Sequence, residues 1–192
     1  MISGLIKNIR GKVVLVHQQD LVLSPELETI EELCSLDVRG REGLVDEVCE
    51  AFGIEISSLP VVLVYGEIFG LEDIDKIEAK IKAKGEEELE AAKELVRKEK
   101  RVVFIKGTPD QPQCRFTRQL LQILAEVGLQ PSDYVSVNIL ASQRVREGMK
   151  EYANWPTYPQ IYIDHEFVGG LDVLKGEQDK GTLAQYLKLS LD

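Results

Sequence analysis

Cys114 is the residue of this sequence whose setting most strongly indicates chemistry. It lies in KGTPDQPQCRFTRQ, residues 106–119, and Thr117 stands where a CxxC redox pair has its second cysteine. The residues after Cys114 have the pattern of a helix, and a thiol at a helix N-terminus faces free N–H groups and the positive end of the helix dipole. Together with the charges of Lys106 and Arg115, this setting predicts a lowered pKa and a reactive thiolate.

The threonine at position 117 restricts the redox chemistry that Cys114 can perform. A thiolate attacks disulfides and binds metal ions. Because no second thiol lies one turn along, Cys114 cannot resolve its own mixed disulfide, and an external thiol must complete any redox cycle. The other two cysteines, Cys34 and Cys49, have apolar neighbours in the sequence and are predicted to be small buried residues.

Composition bounds the class of protein. The 192 residues are 44% hydrophobic and 29% charged, which is typical of a soluble globular protein. The net charge of −10 argues against nucleic-acid binding, because Lys and Arg clusters hold backbone phosphates. No apolar run reaches the roughly 18 residues of a membrane span, and the N-terminal residues lack the pattern of a signal peptide. We therefore expect an intracellular protein, cytoplasmic rather than organellar, that binds no membrane.

The chain contains two similar segments. GKVVLVHQQ, from Gly11, resembles KRVVFIKGT, which begins 89 residues later at Lys100. LPVVLVYGEIFGLEDI, from Leu59, resembles YPQIYIDHEFVGGLDV, from Tyr158, with an offset of 99 residues. A proline, a strand, a turn, a glycine and an acidic residue recur in the same order. This self-similarity predicts a tandem repeat of one structural unit.

Each copy is predicted to mix strands and helices. In the second copy, VVFIK, YVSVNIL, QIYID and EFVGG have the pattern of strands, and TRQLLQILAEVG, SQRVREGMKEYA and TLAQYLKLSL that of helices. Such a mixture over about a hundred residues indicates a small α/β layer fold. The boundary is expected near Gly85, which gives domains of residues 1–84 and 85–192. The charged segment GEEELEAAKELVRKEK would then be the opening helix of the second domain.

The motifs of the second copy resemble those of the monothiol glutaredoxins, a branch of the thioredoxin-fold superfamily. The family pattern is KGTP, a CGFS-type centre, an RxGxK helix, WPTxPQ and a GG-C-D element. Residues 95–192 carry these in order as KGTP, CRFT, REGMK, WPTYPQ and GGLD. The resemblance implies two tandem thioredoxin-fold (glutaredoxin-like) domains, each a small mixed sheet flanked by helices. The first would be a degenerate glutaredoxin-like or thioredoxin-like domain.

The resemblance also implies a glutathione site beside the catalytic thiol. Lys106, Arg146 and Lys150 correspond to the cations around the glycyl carboxylate of glutathione, which charge-assisted hydrogen bonds would hold. Pro159 corresponds to a cis proline beside a free strand edge that could pair with the cysteinyl part. The residues implied as ligand-binding are Lys106, Phe116, Arg146, Lys150, Thr157, Tyr158, Pro159, Gly170, Leu171 and Asp172.

The γ-glutamyl end of glutathione would meet the GGLD element. Gly169 and Gly170 allow close backbone approach, and Asp172 can pair with the ammonium group. Three residues depart from the family pattern. In the CGFS-type centre Arg115 replaces the glycine and Thr117 the serine, and Leu171 replaces the cysteine of GG-C-D. A bulky arginine could obstruct a ligand where glycine would not.

The first copy lacks the residues of this site. Pro25 aligns with Cys114, and His17 aligns with Lys106, although the proline, glycine and acidic residue of the second motif persist. The first domain is therefore predicted to be redox-inactive, with His17 as a surface residue at a strand end.

Two functions follow from the resemblance. In the first, two monothiol glutaredoxins share a 2Fe–2S cluster, with Cys114 as the protein ligand of each chain and two glutathiones as the others. This homodimer would act in cluster transfer or iron homeostasis, with BolA-type proteins and iron–sulfur recipient proteins as partners. The alternative is a glutathione-dependent thiol–disulfide oxidoreductase that removes glutathione from proteins.

Overall fold

The structure is a computed structural model that describes residues 2–189. It divides into two compact units between Ala83 and Lys84. Each unit contains a four-stranded mixed sheet flanked by helices, which confirms the predicted fold class. None of the described helices is both long enough and apolar enough to cross a membrane.

The first unit has one sheet. Its strands and helices are β1 (Val13–His17), β2 (Leu33–Asp37), β3 (Val61–Val64), β4 (Glu67–Phe69), α1 (Ile2–Ile9), α2 (Pro25–Glu28) and α3 (Glu42–Phe52). The strand order is β2-β1-β3-β4. Strand β1 runs parallel to β2 and antiparallel to β3, and β4 runs antiparallel to β3.

A helix of 25 residues, α4 (Ile74–Lys98), contains the point of division. The sequence predicted that GEEELEAAKELVRKEK would open the second domain as a helix of its own. That prediction is wrong in one respect, because the helix begins at Ile74 and continues through Gly85. Strong helix formers (Lys, Glu and Ala) lie on both sides of the glycine, and they outweigh the roughly 1 kcal/mol that one glycine costs a helix.

The second unit repeats the topology of the first. Its elements are β5 (Arg101–Ile105), α5 (Arg115–Glu126), β6 (Val135–Asn138), α6 (Gln143–Ala153), β7 (Gln160–Ile163), β8 (Glu166–Gly169), α7 (Leu171–Asp179) and α8 (Leu183–Tyr186). The strand order is β6-β5-β7-β8, with β5 parallel to β6 and antiparallel to β7. The sequence did not predict α7, and the closing helix expected over TLAQYLKLSL is confined to α8, with residues 190 and 191 outside the described part.

The core of the second unit lies on both faces of its sheet, because successive strand residues point in opposite directions. Val103 of β5 packs in one cluster with Leu120 and Leu124 of α5. Phe104, the next residue, packs in the other cluster with Met149 of α6. Since α5 and α6 carry most of the helical residues of the candidate site, this packing holds them on opposite faces of one sheet.

The cysteines of the first unit differ in exposure. Cys49 is buried on α3, which confirms the prediction for that residue, and burial raises the pKa of its thiol. Cys34 is exposed, so the prediction that it is buried is wrong. It lies on β2, an edge strand, where apolar neighbours in the sequence do not ensure that a side chain is covered.

Candidate functional site

Cys114 caps the N-terminus of α5 and is half-buried. Burial by itself raises the pKa of the thiol, but hydrogen bonds from the N–H groups of Thr117 and Phe116 and the charges of Lys106 and Arg118 lower it. The net result is a pKa below the ordinary value of a cysteine. The thiolate, which is the nucleophilic and metal-binding form, is favoured by this position.

The loop between β5 and Cys114 is fixed by its own backbone. The N–H of Gln113 donates to the carbonyl of Lys106 at 2.9 Å, and the N–H of Gly107 donates to Oδ1 of Asn138 at 2.9 Å. Gly107 has a φ of 88°, and a Cβ at this position would lie 2.3 Å from the carbonyl oxygen of Gln111. Only glycine fits here, and the loop therefore brings the start of α5 back beside the end of β5.

Thr117 links the loop to the helix. Its side chain is buried, and its hydroxyl accepts a hydrogen bond from the N–H of Lys106 at 3.3 Å. The residue that replaces a second cysteine is therefore a structural tie between the strand end and the first turn of α5. This tie keeps Lys106 close to the thiol.

A pocket of about 160 Å³ lies beside this helix start. Its lining residues are Phe116, Trp155, Thr157, Tyr158, Pro159, Gly170, Leu171 and Asp172. Cys114 is not among them, but Phe116, two residues later, is. The pocket therefore adjoins the segment that carries the thiol.

Tyr158 and Pro159 form one wall of the pocket. The peptide bond between them is cis, as the resemblance to the monothiol glutaredoxins implied. The hydroxyl of Tyr158 donates to the carbonyl of Arg146 at 2.7 Å, and burial raises the pKa of this phenol. Within the described part of the chain, the main-chain N–H and C=O of Tyr158 make no hydrogen bond. They are open to a ligand with a backbone-like edge.

The opposite wall is the N-terminus of α7. Gly170 is the N-cap residue, and a Cβ there would lie 3.1 Å from the carbonyl oxygen of Pro159 and 3.3 Å from Nε1 of Trp155. A larger residue at position 170 would narrow the pocket. Leu171 is buried beneath it, and Asp172 places a carboxylate in the first turn of α7. This wall can accept a cationic group through Asp172.

Three charged residues of α6 interact with one another: Arg146, Glu147 and Lys150. Glu147 binds Nζ of Lys150 at 2.7 Å through one carboxylate oxygen, and the other lies 3.8 Å from Nε of Arg146. The pairing with Lys150 lowers the pKa of Glu147. The two cations expected around a ligand carboxylate are thus close together, with the carboxylate of Glu147 between them.

The structure brings seven of the ten predicted ligand-binding residues into the pocket lining. The other three, Lys106, Arg146 and Lys150, lie outside that lining. Lys106 is beside the thiol, and Arg146 is joined to the pocket through Tyr158. No group of three or more His, Cys, Asp or Glu side chains among the described residues is arranged to hold a metal ion.

Sequence reasoning missed three contributors to the site. Arg118 acts on the thiol from four residues along α5, a spacing that places it near Cys114 once the helix is assumed. Glu147 stands three residues before Lys150, which is the ordinary spacing of a helical ion pair. Asn138 supports the loop through Gly107, and no signal in the sequence pointed to that contact.

Comparison with known proteins identifies the family to which this chain is related. A family model described as Glutaredoxin matches residues 102–168. "Glutaredoxin-related protein 5, mitochondrial" of Danio rerio is 46% identical over 95 residues, which are 50% of this chain and 60% of that protein. "Monothiol glutaredoxin-5, mitochondrial" of Schizosaccharomyces pombe is 40% identical over 99 residues, which are 52% of this chain and 68% of that protein. This chain belongs to the monothiol glutaredoxin family.

The residues matched by the family model, 102–168, include the thiol of this monothiol glutaredoxin. The chain spans 60% of the length of the zebrafish relative. The solution structure of reduced poplar apo GrxS14 is 41% identical and covers 51% of this chain and 87% of its own, with a TM-score of 0.45. The centre of this monothiol glutaredoxin reads CRFT, with Arg115 next to the thiol.

Proposed function

We propose that this monothiol glutaredoxin binds glutathione in the pocket beside α5. The observation that supports this best is the combination of a stabilised thiolate with an adjoining pocket that has a free peptide edge at Tyr158 and a carboxylate at Asp172. A pocket of about 160 Å³ is smaller than the roughly 300–1,000 Å³ that enclose a drug-sized ligand. It would take the γ-glutamyl end, and the rest of the tripeptide would extend across Tyr158 towards the cations of α6.

Cluster carriage is the function that these residues fit best. Cys114 offers one thiolate per chain, and thiolates are the ordinary ligands of iron–sulfur clusters. One protein sulfur is too few to hold a 2Fe–2S cargo, so two chains and two glutathione thiolates would complete the set of four. The role of the chain is then to hold each glutathione next to Cys114 and to present both sulfurs together. We propose BolA-type proteins and iron–sulfur recipient proteins as partners of this homodimer.

Anaerobic reconstitution tests the proposal. The reduced full chain is incubated with iron, sulfide and glutathione, and its visible absorbance and native mass are measured. We expect a coloured dimer with one cluster per two chains, and no colour when glutathione is omitted or when Cys114 is changed to serine. Cys34→Ser is the matched control and keeps the colour. A colourless monomer from the unmodified chain would refute cluster carriage.

Thiol exchange is the second candidate, and the partial exposure of Cys114 favours it. The thiolate would attack the glutathione sulfur of a glutathionylated protein, which forms a bond between Cys114 and glutathione and releases the protein thiolate. A second glutathione thiolate would then attack this mixed disulfide, release Cys114 and leave as glutathione disulfide. Turnover of a glutathionylated peptide that Cys114→Ser abolishes would support this activity, and its absence would exclude it.

We further propose that the first unit has no thiol chemistry of its own and that residues 1–84 and 85–192 act as separate domains. The unit carries Pro25 at the position that aligns with Cys114, and its exposed thiol, Cys34, lies on an edge strand. A cytoplasmic location stays a prediction, and the zebrafish and fission yeast relatives carry the word mitochondrial in their names.

A further inference from the structure

Three cations surround the thiol without carboxylate partners. Lys106 and Arg118 are close enough to lower the pKa of Cys114, and Arg115 is the next residue in the chain. Within residues 2–189, none of the three forms an ion pair with a carboxylate, and the guanidinium of Arg118 donates instead to the carbonyl of Pro112 at 3.4 Å. The thiol therefore opens onto a surface of uncompensated positive charge.

Arg115 is held in place by an aromatic ring. Its guanidinium lies over the ring of Phe116, 4.6 Å from the ring centroid, and both side chains are exposed. Phe116 leaves 41% of its surface exposed, which is high for a phenylalanine. Stacking of this kind is attractive at an exposed site and reduces the conformational freedom of the arginine. The pair presents a positive charge and an apolar face at a defined place beside the thiol.

This surface contrasts with the charge of the chain as a whole. The net charge is −10, and several other arginines are paired with acidic side chains. Arg39 binds two carboxylates, Arg97 binds two, and Arg144 binds Glu86. Positive charge that is left unmatched in an acidic protein, next to a reactive group, attracts anionic partners and raises their rate of encounter.

We infer that Arg115, with Lys106 and Arg118, forms a docking surface for a protein segment whose reacting cysteine is flanked by acidic residues. Arginine with an exposed aromatic neighbour is typical of the residues that dominate protein interfaces. The acidic residue of the site loop, Asp110, lies four residues before the thiol, and in the described part of the chain it forms no ion pair with the three cations. This inference names the partner class of the proposed site and rests on the proposed role of Cys114.

Stoichiometric disulfide exchange with activated peptides tests the docking surface without any need for glutathione. The Cys114 thiolate attacks the peptide sulfur of a peptide–aryl disulfide, a bond forms between the two cysteine sulfurs, and the aryl thiolate leaves and is measured by its absorbance. Two peptides of equal length carry either Asp and Glu or Lys and Arg around the cysteine. The full chain with Cys34→Ser is used, and mass spectrometry identifies Cys114 as the modified residue.

We expect the acidic peptide to react about tenfold faster than the basic one at low salt, and the ratio to shrink as salt is added. Arg115→Gln should lower the ratio about threefold, Arg115→Lys should retain most of it, and Arg115→Glu should bring it to one or below. Lys98→Gln is the matched control, because it removes one exposed positive charge before β5 rather than after it. An equal ratio in the unmodified chain, or a ratio that Arg115→Glu leaves unchanged, would overturn the docking surface.

Failure of the proposed function has a different signature. If glutathione does not bind in a separate calorimetric titration while the acidic peptide still reacts faster, the glutathione site is wrong and the docking surface stands. If glutathione binds while the two peptides react equally, the proposed function stands and the docking surface is wrong.

Discussion

The helix that follows the first strand differs between the two units of the chain. In the first unit α2 has four residues and begins with Pro25, and the hydroxyl of Ser24 accepts a hydrogen bond from the N–H of Leu27. In the second unit α5 has twelve residues, and the capping position holds the thiol of Cys114 instead of a hydroxyl. A hydroxyl that caps a helix closes its N-terminus, whereas a thiolate there remains a nucleophile.

The two units also differ in how the charged residues after their first strand are paired. In the first unit Arg39 binds Asp20 at 2.9 Å and Asp37 at 2.7 Å, which raises the pKa of the guanidinium and lowers those of both carboxyls. In the second unit Lys106 and Arg118 face the thiol instead. Sheet order and the cis proline are common to both units. The comparison teaches that the scaffold alone does not give the chemistry, which depends on the residue at the helix start and on unpaired cations around it.

The largest expected effect comes from an exchange of the thiol between the units. Cys114→Ser should abolish glutathione-dependent cluster assembly and exchange, since no other thiol of the chain caps a helix of this length in the described part. Pro25→Cys added to Cys114→Ser should not restore either activity, because α2 is short and its surroundings lack the cations. The measurement is visible absorbance after reconstitution, and restored colour in the double variant would show that the scaffold suffices.

Core truncation should distinguish the units by stability. Leu120 of α5 and Leu27 of α2 are both almost fully buried, and each change to alanine should cost about 2–5 kcal/mol in its own unit. Amide hydrogen exchange read by mass spectrometry reports the location of the loss. Leu120→Ala should raise exchange in β5 and β7, and Leu27→Ala should raise it in β1 and β3. The reactivity of Cys114 should fall in Leu120→Ala and not in Leu27→Ala. A fall in both variants would show that the candidate site depends on the core of the first unit.

Removal of a nearby cation should slow the reaction of the Cys114 thiol with an alkylating agent. Arg118→Gln should raise the pKa of Cys114 and slow its alkylation near neutral pH about two- to fivefold, the size of an exposed charge interaction of roughly 0.5–1 kcal/mol. The rate should fall as pH falls through the thiol pKa, since only the thiolate reacts. A lowered folded-state pKa also means that this group stabilises the fold at high pH and that the contribution is lost as pH falls through the folded pKa. The measurement is the rate of iodoacetamide labelling of Cys114 as a function of pH, with Lys98→Gln as the control variant. An unchanged pH profile in Arg118→Gln would show that Arg118 does not affect the thiol.

The smallest expected effect concerns Glu147. Its carboxylate lies where the proposed glycyl carboxylate of glutathione would compete for Arg146 and Lys150. Glu147→Gln should therefore tighten glutathione binding about two- to threefold, in keeping with the modest energy of an exposed ion pair. Glu151→Gln, the same change one turn along α6, should leave binding as it is. Weaker binding in Glu147→Gln would show that this carboxylate orients the cations rather than competing for them.

The sequence predicted much of the fold because both copies carry strong local signals. The strands around Val103 and Ile161 are apolar runs, and α5 and α6 have clear apolar stripes, so their type could be read without tertiary information. Helix α4 was divided wrongly because a glycine within a charged helix has the local pattern of a boundary. The burial of Cys34 was predicted wrongly because its neighbours are apolar, whereas its place on an edge strand beside β1 leaves the thiol exposed.

Prediction of the candidate site depended on motif order rather than on geometry. Motif spacing led to Cys114, Tyr158 and Asp172, which the fold brings to one end of the sheet from distant parts of the chain. Partner choice could not be predicted in the same way. The competition of Glu147 with a ligand, and the stacking of Arg115 on Phe116, depend on side-chain conformations that no local pattern fixes.

Calorimetric titration of the reduced full chain with glutathione tests the central claim most directly. We predict one binding site per chain, with affinity reduced about tenfold or more in Asp172→Asn, because a hydrogen bond to a charged group contributes roughly 1.5–3 kcal/mol. No heat of binding, or two equivalent sites per chain, would contradict the claim that, among the described residues, only the second unit combines a pocket with a thiol of lowered pKa.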